Sequence, residues 1–302
     1  MIPQFPKFKK LELSDRDEYQ AFVSQFEPYS DFNFISLWSY NTEDRCELSL
    51  LNGNLVIKMT DYISNDDIFM FLGNEKVDET INKLFTFQKE HLIPVGLKLI
   101  PQIVVDNIRD VKEFDIFEDI SGHDYVLSVD EHVALTGPDY QKRRNLLKRF
   151  QREYEGKWQI ELVDVSTRKN QDKFFQVFDV WQESRKKETS ETTHERVAIK
   201  KFFDGFPAIA PLGFVLQIEG KNKGFSLFEK VHLSYSVVHF LKADVSHHGI
   251  FEFLMNQTAI ELQKMACRYI NFEQDLGNPG LRKTKTLHRP KHYLKKYNIF
   301  PK

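Results

Sequence analysis

Apolar residues recur at helical and strand spacings through the first half of the chain. The spacing of Tyr19, Phe22 and Phe26 predicts one face of a helix. Asn52-Gly53 separates two β-rich runs and predicts a tight hairpin. These patterns predict helices at Ser14–Glu27, Asp31–Tyr40 and Glu75–Glu90, and strands at Glu47–Leu51, Leu55–Met59, Ile68–Leu72, Val95–Ile100, Phe114–Phe117 and Tyr125–Val129.

The second half repeats this order of predicted elements. After a helix rich in cations, two helices precede a three-strand meander, and a long helix and a final strand follow. The repetition predicts an α+β fold with mixed sheets, built from two similar domains at residues 1–130 and 131–302. The predicted helices are Pro138–Tyr154, Lys169–Lys187, His194–Phe203 and Ile250–Met265, and the predicted strands are Gln159–Val165, Gly213–Ile218, Gly224–Lys230, Ser234–Leu241 and Arg268–Phe272.

The segment from Asn271 to Pro290 carries the densest candidate chemistry. Glu273 and Asp275 follow the final predicted strand and share one face if that strand continues. A Gly-Asn-Pro-Gly turn then leads to three cations, Arg282, Lys283 and Lys285. Acids at a strand end and bases at a helix start form a pattern able to hold a zwitterionic or phosphorylated ligand. The alternative is an ordinary strand–turn–helix junction, with capping acids and solvated bases.

Three segments of the sequence resemble one protein family. The first is Asn271-x-Glu273-x-Asp275-Leu276-Gly277-x-x-Gly280-Leu281-Arg282-Lys283-x-Lys285, with Pro290 after it. The second is Leu135-Thr136-Gly137-x-x-Tyr140-x-x-Arg143-Arg144-Asn145 with Lys148 and Phe150, and the third is Val238-His239-Phe240-x-Lys242-Ala243-Asp244. Together they resemble the C-terminal domain of the phosphatidylglycerol lysyltransferases. The resemblance implies a tandem of two acyltransferase folds of the GNAT type.

The resemblance also implies an enzyme in which an amine or hydroxyl acceptor attacks a donor ester or thioester directly, without a covalent enzyme intermediate. On this basis, Glu273 and Asp275 recognise the ammonium of a donor amino acid or position the acceptor. Arg282, Lys283 and Lys285 meet phosphate, and Lys242 is a further candidate for contact with substrate or phosphate. Strand N–H groups near His239 to Lys242 meet the oxyanion. His239 itself is either a catalytic residue or a hydrogen-bonded core histidine.

A basic helix is predicted over residues 139–157. Arg144, Lys148 and Arg152 recur every four positions and form one charged stripe, beside Arg143. This density of cations exceeds what solubility requires, so the helix is a candidate surface for the phosphates of tRNA or of a cofactor diphosphate. A solvated charged face is the alternative.

The loop before the long second-half helix bears on the choice of donor. GNAT folds hold a cofactor diphosphate on a glycine-rich loop at this place. The corresponding segment here, Asp244-Val-Ser-His-His-Gly249, has Gly249 but lacks a second glycine. Gly249 is still a candidate phosphate-binding position, because a helix N-terminus binds anions without the motif. The incomplete loop favours aminoacyl-tRNA over acyl-CoA as donor. Two alternatives stay open, an acetyl-CoA-dependent N-acetyltransferase and a non-catalytic ligand-binding module.

Charge, cysteine and histidine spacing, and the absence of long apolar runs narrow the possible classes of protein. The net charge of −2 at pH 7 argues against a surface that binds nucleic acid throughout. Cys46 and Cys267 lie far apart and indicate neither a disulfide framework nor a zinc site. His247-His248 and His288-x-x-x-His292 have no completing ligand nearby, so no metal is expected. No signal peptide is visible and no apolar run reaches the ~20 residues of a membrane span, so we expect a cytoplasmic protein.

Overall fold

The computed structural model describes residues 1–60, 66–184, 190–205 and 212–302. The helices are α1 (Arg16–Val23), α2 (Phe34–Tyr40), α3 (Val77–Glu90), α4 (Gln102–Val105), α5 (Val129–Ala134), α6 (Gln141–Glu153), α7 (Arg168–Ser184), α8 (Ser190–Asp204), α9 (Ile250–Lys264) and α10 (Pro279–Leu287). The strands are β1 (Lys9–Lys10), β2 (Glu47–Leu51), β3 (Asn54–Thr60), β4 (Asp67–Leu72), β5 (Leu97–Pro101), β6 (Phe114–Glu118), β7 (Asp124–Ser128), β8 (Trp158–Leu162), β9 (Leu212–Ile218), β10 (Lys221–Lys230), β11 (Tyr235–Ala243), β12 (Tyr269–Asn271), β13 (His292–Leu294) and β14 (Lys296–Pro301).

Within these described ranges the strands form three sheets, in the orders β1–β2–β3–β4, β5–β14–β6 and β13–β7–β12–β11–β10–β9–β8. Residue contacts divide the chain into two compact units. The first comprises Met1–Tyr125, Gln274–Thr284 and Tyr293–Lys302, and the second comprises Val126–Glu273 and Lys285–His292. The division into domains at residues 1–130 and 131–302 stays a prediction.

The first unit is built around the apolar strands β2 to β4 and the helix α3. β2 and β3 meet at Asn52-Gly53, where φ is 54° and 85°, the positive values that a two-residue hairpin turn of this sequence adopts. Val56, Phe71 and Ile81 are fully buried. The ring centre of Phe87 on α3 lies 6.1 Å from that of Phe69 on β4, so α3 packs on this sheet, as its helical spacing predicts.

A buried cation links β14 to the rest of the first unit. Lys296 is fully buried; its Nζ lies 2.7 Å from Asp124 Oδ1 and also contacts the Asp31 carboxylate. Burial lowers the pKa of Lys296, but Asp124 and Asp31 outweigh burial and raise it, so the ammonium stays charged. Since β14 also pairs with both β5 and β6, it is an integral strand of this unit.

The second unit contains an antiparallel meander and a crossover. β9, β10 and β11 pair in sequence, and α9 then leads to β12, which lies parallel to β11. Helices cover both faces of this sheet. A Cβ added at Gly224 would lie 2.9 Å from Leu254 of α9, whereas the next residue, Phe225, has its ring 5.3 Å from Phe174 of α7. Neighbouring strand residues point to opposite faces, so α9 and α7 lie on opposite sides.

Both units share one order of elements, two helices, a three-strand meander, a helix and a strand. The order is α1–α2–β2–β3–β4–α3–β5 in the first unit and α7–α8–β9–β10–β11–α9–β12 in the second. The units differ at the last strand, because β12 pairs with β11 whereas β5 pairs with β14. The predicted end of a helix at Lys187 lies outside the described residues.

Candidate functional site

His239 lies at an irregularity of β11. The pairing of β10 with β11 includes Phe240 and Val238 but skips His239, which is therefore an extra residue in its strand. Such bulges redirect side chains and are frequent next to active sites. The rings of His239 and Phe240 both lie 5.6 Å from the ring of Phe202 on α8. The bulge thus turns two neighbouring side chains towards one helix.

Two carboxylates flank the His239 imidazole. Nε2 lies 3.3 Å from Glu229 Oε1 on β10, and Nδ1 lies 3.8 Å from Glu273 Oε1 just after β12. Burial lowers the pKa of His239, but the two carboxylates outweigh burial and raise it to about 9. The imidazole is therefore protonated at neutral pH. We call these three residues the His239 cluster.

Lys242 also lies on β11, three residues after His239, and has its own partners. Its Nζ is 2.6 Å from Glu195 Oε1 on α8 and 4.3 Å from the centre of the Trp181 ring on α7. An ammonium over an indole face is attracted by the ring electrons. The face of the sheet that α7 and α8 cover therefore holds both Lys242 and the His239 cluster.

The chain leaves its strand geometry before the two predicted acids. β12 ends at Asn271, whose side chain accepts a hydrogen bond of 2.7 Å from the Glu273 amide. Glu273 has a φ of 56°, in the left-handed region. The strand does not continue, so Glu273 and Asp275 do not share a strand face. Glu273 belongs to the second unit and Asp275 to the first.

Asp275 is fully buried in the first unit and anchors the start of α10. Its carboxylate accepts hydrogen bonds from Tyr125 Oη at 2.6 Å, from the Gly277 amide at 2.8 Å and from Arg282 Nε at 2.8 Å. Burial raises the pKa of Asp275, but the bonds from Arg282 and Tyr125 outweigh burial and lower it. Lys283, the next residue of α10, is exposed.

The predicted basic helix is α6, and its cations differ in their surroundings. Arg144 donates from Nη1 to the Leu135 carbonyl and, at 3.1 Å, to the Gly137 carbonyl. Those carbonyls lie at and just after the end of α5, so Arg144 fixes the connection between α5 and α6. Lys148 and Arg152 are exposed on the same helix. The stripe predicted from spacing therefore has a half-buried end and a solvent-facing end.

Arg143 points inward from α6. The residue is only 6% exposed, and its Nη1 lies 2.9 Å from Nε2 of His132 on α5. The same His132 nitrogen lies 3.3 Å from Nδ1 of His288, which follows α10. Burial, and after it the Arg143 charge, lower the pKa of His132 to about 4. The imidazole rings of His132 and His288 both belong to the second unit. Lys285 belongs to the same unit; it is buried and donates a hydrogen bond of 2.5 Å to the Phe272 carbonyl.

Close packing explains why residue 249 is a glycine, independently of its candidate role in binding. Its φ is 81°, and a Cβ there would collide with the carbonyl oxygen of Leu146 on α6. Phe150 and Phe253 continue this contact, with ring centres 4.6 Å apart. The start of α9 therefore packs closely on α6 at Gly249, and this contact by itself requires a glycine.

Several residues of these clusters carried little signal in the sequence. Glu229 is the one acidic residue of its strand, and a single acid in a strand is typical of a solvent-facing position. His132 and His288 are far apart in sequence and meet only in the fold. A polar residue opposite the His239 segment in the predicted meander was the one available signal for Glu229.

A family model for the C-terminal part of phosphatidylglycerol lysyltransferase matches residues 26–300. The chain belongs to this family. The match includes all three segments on which the resemblance rested, and with them the His239 cluster and α6. Membership in the phosphatidylglycerol lysyltransferase C-terminal family supports an acyl- or aminoacyl-transferase function.

Solved structures share the fold of this family member over nearly the whole chain. A conserved protein of unknown function from Bacteroides thetaiotaomicron has a TM-score of 0.84 at 24% identity, with 100% of each chain covered. The C-terminal domain of a lysylphosphatidylglycerol synthetase from Agrobacterium fabrum has a TM-score of 0.64 at 13% identity, covering 96% of this chain and 92% of that one. L-PGS from Bacillus licheniformis has a TM-score of 0.62 at 15% identity, covering 100% and 94%.

These similarities establish the fold. The predicted class, an α+β fold with mixed sheets, is confirmed. The tandem GNAT-like organisation stays a prediction. The search of curated proteins gave no match. Among the described residues no helix is long and apolar enough to cross a membrane. The same part of the chain contains no group of three or more His, Cys, Asp or Glu side chains that could hold a metal ion.

Proposed function

We propose that this protein is an aminoacyltransferase that moves an aminoacyl group from aminoacyl-tRNA to an amine or hydroxyl acceptor. The His239 cluster is the proposed reaction centre. One observation carries the proposal: a buried, charged imidazole lies between two carboxylates at a strand bulge, inside a segment matched by the family. Strongly shifted ionisable groups held by specific partners are concentrated at functional sites.

Glu273 is the proposed contact for the donor ammonium. Its side chain is 21% exposed, whereas that of His239 is 2% exposed, so the carboxylate is the accessible member of the pair. Carboxylate oxygens bind ammonium groups through charge-assisted hydrogen bonds. Glu229, whose side chain is 14% exposed, holds the other side of the imidazole and fixes its orientation.

The acceptor nitrogen or oxygen attacks the ester carbonyl, the bond between that carbon and the tRNA ribose oxygen breaks, and the acceptor proton passes to solvent. Because His239 is protonated at neutral pH, its proposed role is to donate a proton to the departing ribose oxygen, not to remove one from the acceptor. Strand N–H groups between His239 and Lys242 are the proposed donors to the oxyanion.

The remaining predicted residues have supporting roles in this proposal. Lys148 on α6, and Arg282 and Lys283 on α10, would meet tRNA phosphates. Arg144 would hold the segment before α6 in place. Asp275 would position Arg282 and not touch the substrate, because its carboxylate already accepts four hydrogen bonds.

Replacement of Glu273 tests the proposal. The assay follows radiolabelled lysine or alanine from charged tRNA to phosphatidylglycerol vesicles and, separately, to soluble amines. We expect Glu273→Gln to lower the transfer rate about 100-fold or more, because the charge that recognises the ammonium is lost. Glu155→Gln, at an exposed position of the second unit, is the matched control.

Equal rates for Glu273→Gln and the control, with both variants folded by circular dichroism, would contradict the assignment. Transfer from acetyl-CoA but not from charged tRNA would favour the N-acetyltransferase alternative. Donor binding without turnover in the wild type would favour the ligand-binding module.

A further inference from the structure

The peptide group between Phe272 and Glu273 is held at both of its polar ends. Its N–H donates to Asn271 Oδ1 over 2.7 Å, and its carbonyl oxygen accepts a hydrogen bond of 2.5 Å from Lys285 Nζ. All four residues belong to the second unit. Because a peptide group is planar, hydrogen bonds at its two ends fix its orientation, and with it the direction in which the Glu273 side chain leaves the backbone.

The backbone conformation of Glu273 needs such support. Its φ of 56° lies in the left-handed region, which costs free energy for a residue that carries a Cβ. Conformations of this kind persist where surrounding groups hold them, and they are concentrated at active sites and ligand-binding sites. The hydrogen bonds made by Asn271 and Lys285 supply the constraint here.

Asn271 lies on the face of the sheet that carries the His239 cluster. Val237 of β11 pairs with Glu229 of β10 on one side and with Asn271 of β12 on the other. Residues paired across neighbouring strands point to the same face, so the side chains of Asn271 and Glu229 share the face that α7 and α8 cover. Asn271 is fully buried there and is the last residue of β12.

Lys285 contacts the same turn of the chain from α10. The residue is 9% exposed, and its Nζ lies 5.1 Å from the centre of the Phe272 ring in addition to its bond with the Phe272 carbonyl. An ammonium that binds both the ring and the carbonyl of one residue fixes that residue in place. Phe272 directly precedes Glu273, so Lys285 and Asn271 act on one turn.

We infer that Asn271 and Lys285 are positioning residues, which hold the Glu273 carboxylate beside His239 through the peptide group between Phe272 and Glu273. Their role in aminoacyl transfer rests on the proposed function, in which Glu273 contacts the donor ammonium. Lys285, predicted from the sequence to meet phosphate, acts in this inference on the backbone of the site. Loss of either hydrogen bond frees the carboxylate to leave its contact of 3.8 Å with His239 Nδ1.

Titration of His239 by nuclear magnetic resonance tests the inference without any substrate. The full-length protein carries labelled histidine, and the His239 signal is identified by its loss in His239→Gln. Glu229 and Glu273 face this imidazole and raise its pKa to about 9, and α8 presents the uncharged ring of Phe202. We expect Asn271→Ala to lower the pKa of His239 by about 1, as Glu273→Gln does, because the carboxylate is no longer held.

Lys285→Met provides a sharper comparison. Removal of a positive charge favours the protonated imidazole, so charge loss alone would raise the pKa of His239. We expect that pKa to fall by about 1 instead, because the Phe272 carbonyl has lost its donor. Lys230→Met is the matched control, since Lys230 donates to the Met265 carbonyl over 2.7 Å, and it should not lower the pKa of His239. If Asn271→Ala does not fold, the Lys285→Met comparison decides alone.

Three further variants separate positioning from general destabilisation. Asn271→Asp keeps an acceptor oxygen and should leave the pKa of His239 at least as high as in the wild type. Asn271→Ala added to Glu273→Gln should lower this pKa no further, because both changes act through one carboxylate. Asn256→Ala removes another buried asparagine, which donates to the His132 carbonyl over 2.8 Å, and should leave the pKa of His239 unchanged.

An unchanged pKa of His239 in Lys285→Met would overturn the inference, as would a further fall when Asn271→Ala is added to Glu273→Gln. The fate of the proposed function is separate. If the variants lower the pKa but the wild type transfers nothing from charged tRNA, the positioning role stands and the proposed function fails. If Glu273→Gln abolishes transfer while Asn271→Ala and Lys285→Met change neither the pKa nor the transfer rate, the proposed function stands and the positioning role fails.

Discussion

At the scale of single residues, the environment of His239 decides what its imidazole can do. The side chain is almost completely buried, and burial alone would leave it neutral. Glu229 and Glu273 reverse that outcome by stabilising the charged form. A histidine that stays charged at neutral pH is a proton donor and an electrostatic anchor, and a poor base.

The raised pKa of His239 predicts a pH-dependent stability. Its pKa is about 9 in the folded protein against 6.5 for an ordinary histidine, so folding is favoured by proton binding. The stabilisation is fully present below the ordinary value and is lost as pH rises through the folded value. It amounts to about 3 kcal/mol.

Urea unfolding of the wild type and of His239→Gln at several pH values checks this. The difference in free energy of unfolding between the two proteins should shrink as the pH rises from about 6.5 to about 9. His248→Gln, at an exposed site nine residues further on, should leave the pH profile unchanged. If the free energy of unfolding of the wild type exceeds that of His239→Gln by the same amount throughout this interval, His239 is neutral in the folded protein.

Sequence reasoning reached some residues of the site and missed others for physical reasons. His239 and Glu273 were identified because each lies in a segment with several family-specific positions. The sequence does not identify Glu229, because a single acid in a strand is typical of a solvent-facing position. The sequence relates His288 only to His292, at a spacing typical of metal ligands, whereas in the fold His288 lies beside His132, which Arg143 also contacts.

At the scale of elements, α6 shows how a helix divides its cations between packing and solvent. Arg143 and Arg144 are used within the second unit, by His132 and by two carbonyl groups. Lys148 and Arg152 are exposed one and two turns further along. This exposed pair is available to bind a polyanion without rearrangement.

Charge reversal of the exposed pair tests the role of α6 in RNA binding. We expect Lys148→Glu with Arg152→Glu to reduce the slope of log affinity against log salt concentration for tRNA by about 1 for each lost phosphate contact. The measurement is a titration of tRNA binding at several salt concentrations. Arg168→Glu with Lys200→Glu makes the same change of charge on α7 and α8. A slope that stays the same in the α6 variant would remove α6 from the interface.

The elements that were hard to predict are those set by distant contacts or by short signals. Ser128 accepts a hydrogen bond from the Glu131 amide and begins α5, with serine and glutamate at the spacing of a capping box. The apolar run before it predicted a strand reaching Val129, and this concealed the helix. β14 has no local hairpin partner, and its position between β5 and β6 depends on residues some 200 positions earlier.

At the scale of the whole molecule, the two units are not consecutive pieces of chain. The first unit takes Gln274–Thr284 and Tyr293–Lys302 from the end of the sequence. The repeated order of elements predicted two domains with one boundary, and nothing in that order indicates a returning strand. Pairing of distant strands leaves no periodic signal in either segment.

A fragment of residues 1–130 tests whether the first predicted domain folds alone. It lacks β14, the central strand of the sheet β5–β14–β6, and it lacks Lys296, which pairs with Asp31 and Asp124. Two buried carboxylates without their cation destabilise a fold by about 3–5 kcal/mol. We therefore expect no cooperative melting by circular dichroism.

The full-length variant Lys296→Met separates the two causes of this loss. It keeps β14 and removes only the ammonium, so it should melt cooperatively at a lower temperature than the wild type. A fragment 1–130 that melts in one sharp transition would show that the predicted boundary marks an independent domain.

The place of β14 in the first unit also sets an order of events on the ribosome. Domains usually fold from the N-terminal end as the chain is synthesised, at roughly 5–20 residues per second. Here residues 1–125 emerge first, yet the strand between β5 and β6 is translated after all of Val126–Glu273. The nascent first unit must therefore wait, with the edges of β5 and β6 unpaired, for about 10 seconds or longer. Unpaired strand edges bind other chains, so this interval is when the protein depends most on chaperones.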